Sequence, residues 1–481
     1  NTDNLKDALA ILNTESGDTD GVKDVDRVSF TEDSRWVLVL MAKEQAKENS
    51  KSPKDTAAPK AKKGTGTDLL VRRLGTTQTT TIPFVKSFSV DTLSQFLVYA
   101  VEGTIGAGNG LFHRRLEETP GPESPILQAE NVRISHLAWN NRTGALAFVA
   151  AELDEKEKPK PGAVWIWKPE AKARMIGPVT SGWIVPSVND LDWSRDGDRL
   201  YLGLRPASDT LSKESEEDTT VRLFDVASIL KKRELDVWHW DDPLVNSHQK
   251  KQWKAKSEQV YRAVYHLEKG SLVQLADTVL EVVSPAENPL WALGSTGLPY
   301  QKLITWDGGY ADYVLVNQQT GQRRTFLRRH SDRVRFSPDG RFVAFFRDSS
   351  WYLYSVNGDS SWNVTGRIDL PFYNEEDDTP SVPGSYGSPG WMVDGSAVLI
   401  YDRFDLWSVP TDGAPPRNLT KGEGRNGQLR FRIVNLDPQS AGFAAGDVVH
   451  LSAFHDREKF EAVYSLALDS SELRELVAGP H

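Results

Sequence analysis

Cysteine is absent from this chain of 481 residues, and methionine occurs only 3 times. Without cysteine the chain forms no disulfide, offers no thiol nucleophile and provides no thiolate ligand for a metal. Long hydrophobic runs are missing as well, since no stretch approaches the roughly 18 apolar residues that a membrane-spanning helix needs. The sequence therefore excludes thiol chemistry and predicts no membrane span.

An excess of positive charge is also lacking. The chain has 57 Lys and Arg against 67 Asp and Glu, a formal net charge of −10. No segment interleaves a Lys/Arg stripe with aromatic residues, so a nucleic-acid surface is not expected. The 9 histidines are scattered, without an H-E-x-x-H motif or a His pair at i,i+4. We therefore expect no nucleic-acid partner, no metal site and no cofactor.

The G-x-S-x-G pentapeptide that seats the nucleophile of an α/β-hydrolase is missing. Two Gly-Ser segments, residues 294–297 and 387–390, have the wrong spacing. The chain also lacks the alternation of strands and helices that would carry such a nucleophile. No residue of this chain is therefore assigned a catalytic role.

What the sequence does contain is a repeated motif: an apolar or aromatic pair, a polar turn and an apolar strand. The clearest copy is residues 334–345, VRFSPDGRFVAF. The eight copies begin near Val28, Lys86, Ile134, Asn189, Glu281, Val334, Gly387 and Phe431. Self-similarity with a period of about 50 residues is typical of radial repeat folds.

Each copy predicts two hairpins. Asp-Gly at the turn supplies the positive φ that a tight hairpin needs, and the following apolar run, such as residues 36–40, suits a strand buried on both faces. Two hairpins make one four-stranded sheet. The predicted fold class is therefore all-β, a β-propeller of about eight four-stranded blades. Seven blades are the alternative, because the fifth copy has a degraded turn at residues 282–285.

We expect residues 1–20 to form an N-terminal segment with a weak helix over 5–12, and residues 21–481 to form the propeller domain. Two insertions interrupt the repeat. Residues 43–67 are rich in Lys, Ala and Pro, which predicts a flexible solvated loop, with a partner-binding arm as the alternative. Residues 205–260 contain an acidic loop, a strand at 221–224 and a short helix predicted over 243–259, which places a helical insertion in the fourth blade.

The segment Trp238-His239-Trp240-Asp241-Asp242 is the first candidate for chemistry. A histidine beside carboxylates could act as a general base. The alternative is a strand of aromatic residues in which His239 makes a structural hydrogen bond.

A second candidate is the acidic run of residues 375–378, Glu-Glu-Asp-Asp, between the sixth and seventh copies. Adjacent carboxylates could bind calcium or the ammonium group of a peptide. Consecutive carboxylates do not match the alternating ligand positions of a calcium loop. The run is therefore interpreted either as a solvated loop or as a site that recognises a substrate or partner.

Two strings resemble a known family. Residues 236–243, DVWHWDDP, and residues 401–407, YDRFDLW, are similar to the propeller domain of prolyl oligopeptidase family serine peptidases. The likeness is to the bacterial dipeptidyl and acylaminoacyl peptidase group and covers about residues 20–476. It implies a propeller that caps a C-terminal α/β-hydrolase domain and restricts access to short peptides. The dipeptidyl branch holds the substrate amine with two glutamates, and Glu375 and Glu376 are adjacent glutamates in this chain. With His239 of the first candidate segment, they are the residues predicted to recognise a substrate.

The first functional hypothesis is thus a non-catalytic propeller that gates peptides toward a hydrolase domain absent from this chain. The alternative is a standalone propeller that serves as a scaffold for protein interactions. A third, a metal enzyme, would need His or carboxylates on successive innermost strands, which here carry mainly Ser, Trp and Phe. Under the first hypothesis the partners are peptide substrates, assembly into a homo-oligomer is left open, and a periplasmic or secreted location is favoured over the cytoplasm.

Overall fold

The structure is a computed structural model that describes residues 8–43, 66–207 and 239–479, apart from positions 15, 77, 104–107, 178, 287 and 438–439. Most of the 43–67 insertion and the whole of the predicted strand at 221–224 lie outside the described residues. The contacts divide the chain into two compact units. Unit 1 comprises residues 1–229 and 254–274, and unit 2 comprises residues 230–253 and 275–481.

Unit 1 contains an N-terminal hairpin and three antiparallel sheets, of which the first has seven strands and is divided here at Phe84 into sheets 1 and 2. The hairpin is β1 (Leu9–Leu12) and β2 (Thr19–Val22). Sheets 1 and 2 are formed by β3 (Val25–Phe30), β4 (Trp36–Met41), β5 (Thr67–Arg73), β6 (Thr79–Val90), β7 (Phe96–Val101), β8 (Gly110–Arg115) and β9 (Ser124–Gln128). Sheet 3 is formed by β10 (Val132–Trp139), β11 (Leu146–Glu152), β12 (Ala163–Trp167) and β13 (Arg174–Met175). Sheet 4 is formed by β14 (Trp183–Ile184), β15 (Asp192–Trp193), β16 (Arg199–Pro206), β17 (Tyr261–His266) and β18 (Ser271–Gln274). The strands follow the chain order except in sheet 4, where β14 and β15 both pair with β16.

Unit 2 contains four antiparallel sheets of four strands each, and in every one the strands follow the chain order. Sheet 5 is formed by β19 (Val282–Ser284), β20 (Trp291–Thr296), β21 (Ala311–Asn317) and β22 (Arg323–His330). Sheet 6 is formed by β23 (Val334–Phe336), β24 (Phe342–Arg347), β25 (Ser350–Ser355) and β26 (Ser360–Asn363). Sheet 7 is formed by β27 (Gly390–Trp391), β28 (Ala397–Tyr401), β29 (Leu406–Pro410) and β30 (Arg417–Asn418). Sheet 8 is formed by β31 (Leu429–Ile433), β32 (Val448–His455), β33 (Glu461–Ala467) and β34 (Glu472–Gly479).

Helices are few within the described residues. The helix α1 (Asn246–Ser257) lies between β16 and β17 of sheet 4 and buries none of its residues, which confirms the predicted helical insertion in the fourth blade. The short helix α2 (Glu423–Gly427) connects sheet 7 to sheet 8, and a 3₁₀ helix spans Leu298–Leu303.

The strand β6 belongs to two sheets. Its first half pairs with β5 and its second half, from Val85 onward, pairs with β7. Between the two halves Phe84 has a φ of 59°, so the chain turns there without leaving the extended strand. The last strand of sheet 1 thus continues directly as the first strand of sheet 2.

The recurring polar turn joins the first and second strands of the sheets by a repeated pair of hydrogen bonds. The hydroxyl of Ser337 donates to Asp339 (2.7 Å) and accepts the main-chain NH of Phe342 (2.9 Å). Thr31 with Asp33, and Ser194 with Asp196, repeat this arrangement. The turn therefore depends on a hydroxyl and a carboxylate two residues apart.

The glycine of the turn is required at two positions for a further reason. Gly340 and Gly395 have φ values of 74° and 70°, a region that costs residues with a Cβ about 1–2 kcal/mol. A Cβ at Gly395 would also lie 2.3 Å from the carboxylate of Asp339 in sheet 6, and one at Gly340 would lie 2.4 Å from the Asn288 side chain in sheet 5. The Asp-Gly pair therefore indicates two things: a turn with a positive φ, and a glycine that lies against a side chain of the preceding sheet.

The hydrophobic cores lie between the facing sides of consecutive sheets. Val149, Val164 and Ile166 of sheet 3 pack with Leu202 and Tyr265 of sheet 4 in one buried cluster. Comparable clusters join sheets 1 and 2, 2 and 3, 5 and 6, 6 and 7, and 7 and 8. In sheets 1 and 7 the second strand is the most deeply buried, and Trp36 through Leu40 and Ala397 through Tyr401 are buried at every position. Stacked blades with apolar layers between them explain why the apolar runs are continuous rather than alternating.

The predicted fold class is confirmed: the chain is an all-β protein of the β-propeller class. Besides the N-terminal hairpin, the described residues form sheets 1 to 8, one for each copy of the motif. The seven-bladed alternative rested on the degraded turn of the fifth copy, yet β19 pairs with β20 all the same. There Asn288 replaces the usual turn residues, because its Oδ1 accepts the main-chain NH groups of Leu290 (3.0 Å) and Trp291 (2.6 Å).

The predicted weak helix over residues 5–12 is wrong in its described part. Residues Leu9–Leu12 form β1, which pairs antiparallel with β2. Leu9 and Ile11 alternate with more exposed neighbours and pack on the buried Val37 and Val39 of sheet 1. Burial of this alternating apolar pair outweighs the local helix propensity of the segment.

Candidate functional site

The loop between β28 and β29 holds two buried carboxylates that fix its shape. Asp402 is fully buried, and its Oδ1 accepts the main-chain NH groups of Phe404 (2.7 Å) and Asp405 (2.8 Å). Its Oδ2 accepts the indole NH of Trp407 (2.9 Å). The string YDRFDLW therefore folds as a tight connection in which the first aspartate holds the main chain and the tryptophan together.

Asp405 links the same loop to α2. Its Oδ1 accepts the Thr420 hydroxyl (2.5 Å) and the main-chain NH of Gly424 (3.0 Å), and its Oδ2 accepts the NH of Arg425 (3.2 Å). Burial raises the pKa of the Asp405 carboxyl, and the hydrogen bond from Thr420 acts in the opposite direction. These contacts position the guanidinium groups of Arg403 and Arg425, which lie 4.9 and 5.2 Å from the centre of the Phe404 ring.

Six charged residues come together at this edge of sheets 7 and 8, and we call them the charged cluster. Its members come from the loop before β27, the β28–β29 loop, α2, β31 and the β32–β33 loop. They are Glu375, Glu376, Arg403, Arg425, Arg430 and Asp456.

The contacts within the charged cluster are dense around Glu376. Arg403 Nη2 donates to Glu376 Oε1 (2.8 Å) and to Asp456 Oδ2 (2.7 Å). Arg430 Nη2 contacts both carboxylate oxygens of Glu376, at 2.8 and 3.0 Å, and Arg430 also forms an ion pair with Asp456. Glu376 is nevertheless 46% exposed, so this part of the cluster is open to solvent.

Glu375 is held more loosely. Its main-chain NH donates to the hydroxyl of Tyr386 (2.8 Å), whereas its side-chain Oε2 lies 3.5 Å from Arg425 Nη2. A hydrogen bond between charged groups is normally closer to 2.7–2.9 Å. Of the two adjacent glutamates, Glu375 therefore has the carboxylate that exchanges its partner more easily.

The electrostatics of the cluster favour the charged forms. Burial alone would raise the pKa of Asp456, but its contacts with Arg430 and Arg403 outweigh burial, and the pKa lies below its ordinary value. The pKa of the Arg430 guanidinium is raised by the same carboxylate. The cluster is thus a network of formal charges in which its three carboxylates, together with the buried Asp402 that lies 3.6 Å from Arg425, face three guanidinium groups.

Replacing Asp456 with asparagine is expected to lower the free energy of unfolding at neutral pH by about 1–2 kcal/mol, because the ion pairs are partly exposed. A carboxyl with a depressed pKa stabilises the fold above its unfolded pKa of about 4 and loses this effect as the pH falls through the folded value. The difference between wild type and Asp456→Asn, measured by urea unfolding, should therefore shrink toward pH 2–3. Glu472→Gln is the control, since Glu472 is exposed on β34 without an ion pair among the described residues; an equal effect in both variants would contradict the prediction.

The structure brings together two of the three residues predicted to recognise substrate. Glu375 and Glu376 lie in the charged cluster, whereas His239 lies apart from it, exposed near the start of α1. The NH of His239 donates to Asp242 (2.9 Å), and its Nδ1 accepts the NH of Asp241 (3.1 Å). The alternative of a strand of aromatic residues is wrong at His239 and Trp240, because the two carboxylate residues that follow draw the chain into a turn.

Sequence reasoning missed the positively charged half of the cluster. Arg403 lies within the YDRFDLW string, so this part of the positive charge could have been found from the sequence. Arg430 and Asp456 carry no local signal, since only the pairing of β31 with β32 places them side by side. Within the described ranges, no group of three or more His, Asp or Glu residues is arranged to hold a metal ion. No helix in the described part of the chain is long and apolar enough to cross a membrane.

No protein family model matches this sequence, and no curated protein matches it either. Solved structures do. A eukaryotic initiation factor is similar over 85% of this chain and 83% of its own, with 11% identity and a TM-score of 0.37. A structure from a study of two prolyl endopeptidases is similar over 95% of this chain at 9% identity and a TM-score of 0.32, and this chain spans 49% of its length.

The β-propeller domain of the trilobed protease from Pyrococcus furiosus is also similar, over 94% of this chain and 97% of its own, with 10% identity and a TM-score of 0.26. The class of protein is thus given by the sheets themselves, which are those of a β-propeller. One of the similar structures is the β-propeller domain of a protease, and another comes from a study of prolyl endopeptidases.

Proposed function

We propose that this chain is the non-catalytic propeller portion of a serine peptidase, in which it recognises peptides and gates their access to an α/β-hydrolase domain. The observation that carries the proposal is the charged cluster, which is built around the YDRFDLW segment whose sequence resembles that family. A short peptide has an ammonium group and a carboxylate, and the cluster offers partners for both. No catalytic residue is assigned to this chain, and Ser, Asp and His of a hydrolase domain would supply the chemistry.

Within this proposal Glu375 and Glu376 have different roles. Arg403 and Arg430 fix the Glu376 carboxylate, so we assign Glu376 to holding the shape of the cluster. Glu375 is the residue that contacts the peptide ammonium group, because its only ion pair among the described residues is the 3.5 Å contact with Arg425. We retain His239 as a recognition residue only for a peptide that reaches the exposed turn before α1.

The peptidase part of the proposal is tested on the polypeptide isolated from its natural source. A fluorophosphonate probe labels a serine that is activated by a neighbouring histidine, and intact mass gives the length of the labelled polypeptide. The expected result is a labelled polypeptide, clearly larger than 53.7 kDa, that contains this sequence. An unlabelled polypeptide of the mass of this chain alone would overturn the peptidase proposal.

A second candidate function, a scaffold for protein interactions, is favoured by exposed tryptophans in unit 2. Trp240, Trp253 and Trp306 are 82%, 73% and 89% exposed. An ion pair between Asp241 and Lys302 connects the turn of Trp240 to the 3₁₀ helix that precedes Trp306. Tryptophan is enriched among the residues that dominate binding energy at protein interfaces. A stoichiometric partner retained by the wild type and lost by the Trp240→Ser/Trp306→Ser variant would favour the scaffold.

A further inference from the structure

Unit 2 contains a cavity of about 710 Å³ that the functional proposal does not use. Its wall includes the first strands of three successive sheets, β23 of sheet 6, β27 of sheet 7 and the end of β31 of sheet 8. Described residues of the segment between β31 and β32 complete the lining. A cavity of this size is in the range that proteins use to enclose small ligands.

Arg335, on β23, is the arginine that lines this cavity. No hydrogen bond or ion pair joins its guanidinium group to any residue that the structure describes. In the charged cluster, by contrast, Arg403, Arg425 and Arg430 all pair with carboxylates. Arg335 is half-buried, and even partial removal of a cation from water is unfavourable when no counter-charge is near.

The charged and titratable groups around Arg335 do not neutralise it. Burial lowers the pKa of the Arg335 guanidinium, the neighbouring Arg333 lowers it further, and only Tyr401 acts in the opposite direction. Asp437, Asp447 and His450 also line the cavity, yet neither carboxylate forms an ion pair with Arg335. Asp447 instead accepts the main-chain NH of Ala444 (2.8 Å).

The rest of the wall supplies aromatic surface and a second donor without an acceptor. Phe336, Trp391 and Phe443 line the cavity together with Ile433. The indole NH of Trp391 is buried and finds no acceptor among the described residues. A mostly apolar and aromatic wall with a few polar groups is typical of a ligand pocket, and a guanidinium group among them favours an anion.

We propose that this cavity is a binding site for a carboxylate that is attached to an apolar group. The Arg335 guanidinium forms a charge-assisted, two-point contact with the carboxylate, and the aromatic wall contacts the apolar part. The same chemistry occurs in a free aromatic or aliphatic acid and in the C-terminal residue of a short peptide. The inference concerns the cavity alone and holds whether or not the chain belongs to a peptidase.

Binding is measured by isothermal titration calorimetry of the whole chain with three probes: N-acetyl-phenylalanine, its amide, and N-acetyl-Ala-Ala-Phe as the free acid. Both acids are expected to bind, and the amide to bind at least about tenfold more weakly, because it lacks the charge that Arg335 neutralises. Tighter binding of the tripeptide acid would identify a peptide C-terminus as the ligand, and tighter binding of the single residue would identify a free acid. Equal binding of acid and amide, or no binding of either acid at millimolar concentration, would overturn the proposal.

Two variants separate the site from the fold. Arg335→Met keeps the length of the side chain and removes its charge, so affinity for the acids should fall by about tenfold or more. Arg333→Met is the matched control, since Arg333 is exposed two residues away and does not line the cavity; losing its more distant charge should lower affinity far less than Arg335→Met does. Because Arg335 has no partner to lose in the described part of the chain, the thermal unfolding midpoint of Arg335→Met should equal or exceed that of the wild type. Wild-type affinity in Arg335→Met would refute the site, whatever the outcome of serine labelling.

Discussion

Replacing Asp402 with alanine is expected to lower the free energy of unfolding by about 3–5 kcal/mol. The carboxylate is fully buried and accepts three hydrogen bonds, from the main-chain NH groups of Phe404 and Asp405 and from the Trp407 indole. Each buried donor left without an acceptor costs about 1–3 kcal/mol. Urea unfolding followed by near-ultraviolet circular dichroism would measure the change, and the loop that supports the charged cluster should loosen with it.

Asp402→Asn refines the prediction. The amide oxygen still accepts the two main-chain NH groups, but its NH₂ group then faces the Trp407 indole, donor against donor. We therefore expect an intermediate loss of about 1–3 kcal/mol. Asp412→Ala is the control, because Asp412 is exposed in the next loop of the same sheet and accepts one main-chain NH, from Ala414 (2.9 Å); its effect should stay below about 1 kcal/mol. A loss of that size for Asp402→Ala would disprove the assigned role.

The fold was predictable because its information is local and repeated. A Ser or Thr two residues before an aspartate, followed by an apolar run, identifies one turn and one buried strand. The number of copies of this motif along the chain then gives the number of sheets. Where the local pattern is degraded, as in the fifth copy, Asn288 performs the same hydrogen bonding with different residues, and the spacing alone still locates the sheet.

The candidate site was only half predictable, for a physical reason. The adjacent residues Glu375 and Glu376 stand out in a sequence because they are a local run of like charge. Their partners Arg403 and Arg430 are ordinary isolated arginines until the strands pair. Arg335 was harder still to identify, because what distinguishes it is the lack of a partner among the described residues. No sequence pattern indicates whether an arginine is paired. Contacts made by tertiary pairing therefore define what these charges do.

Lowering the pH from 6.5 to 4 is expected to remove about 3 kcal/mol of stability through one residue, His330. The side chain is 4% exposed, its ring lies edge-on to Tyr313 and Phe345, and its Nε2 is buried without a hydrogen-bond partner among the described residues. Burial lowers the pKa of His330 to about 4, Arg347 lowers it further, and Asp332 opposes them. Between this value and the unfolded pKa of about 6.5, the unfolded chain binds a proton that the folded chain does not, so stability falls with pH.

The matched variant is His330→Phe, which keeps the ring packing and removes the titrating group. Its free energy of unfolding, measured by urea titration at half-unit pH steps, should fall less than that of the wild type between pH 6.5 and 4. The difference should become constant only about one pH unit lower, where His330 is protonated in both the folded and the unfolded wild type. His239→Gln, at an exposed turn, is the control and should retain the wild-type dependence. Parallel curves for wild type and His330→Phe would show that His330 is charged inside the folded protein, and burial would then have to be offset by a contact that the described structure does not contain.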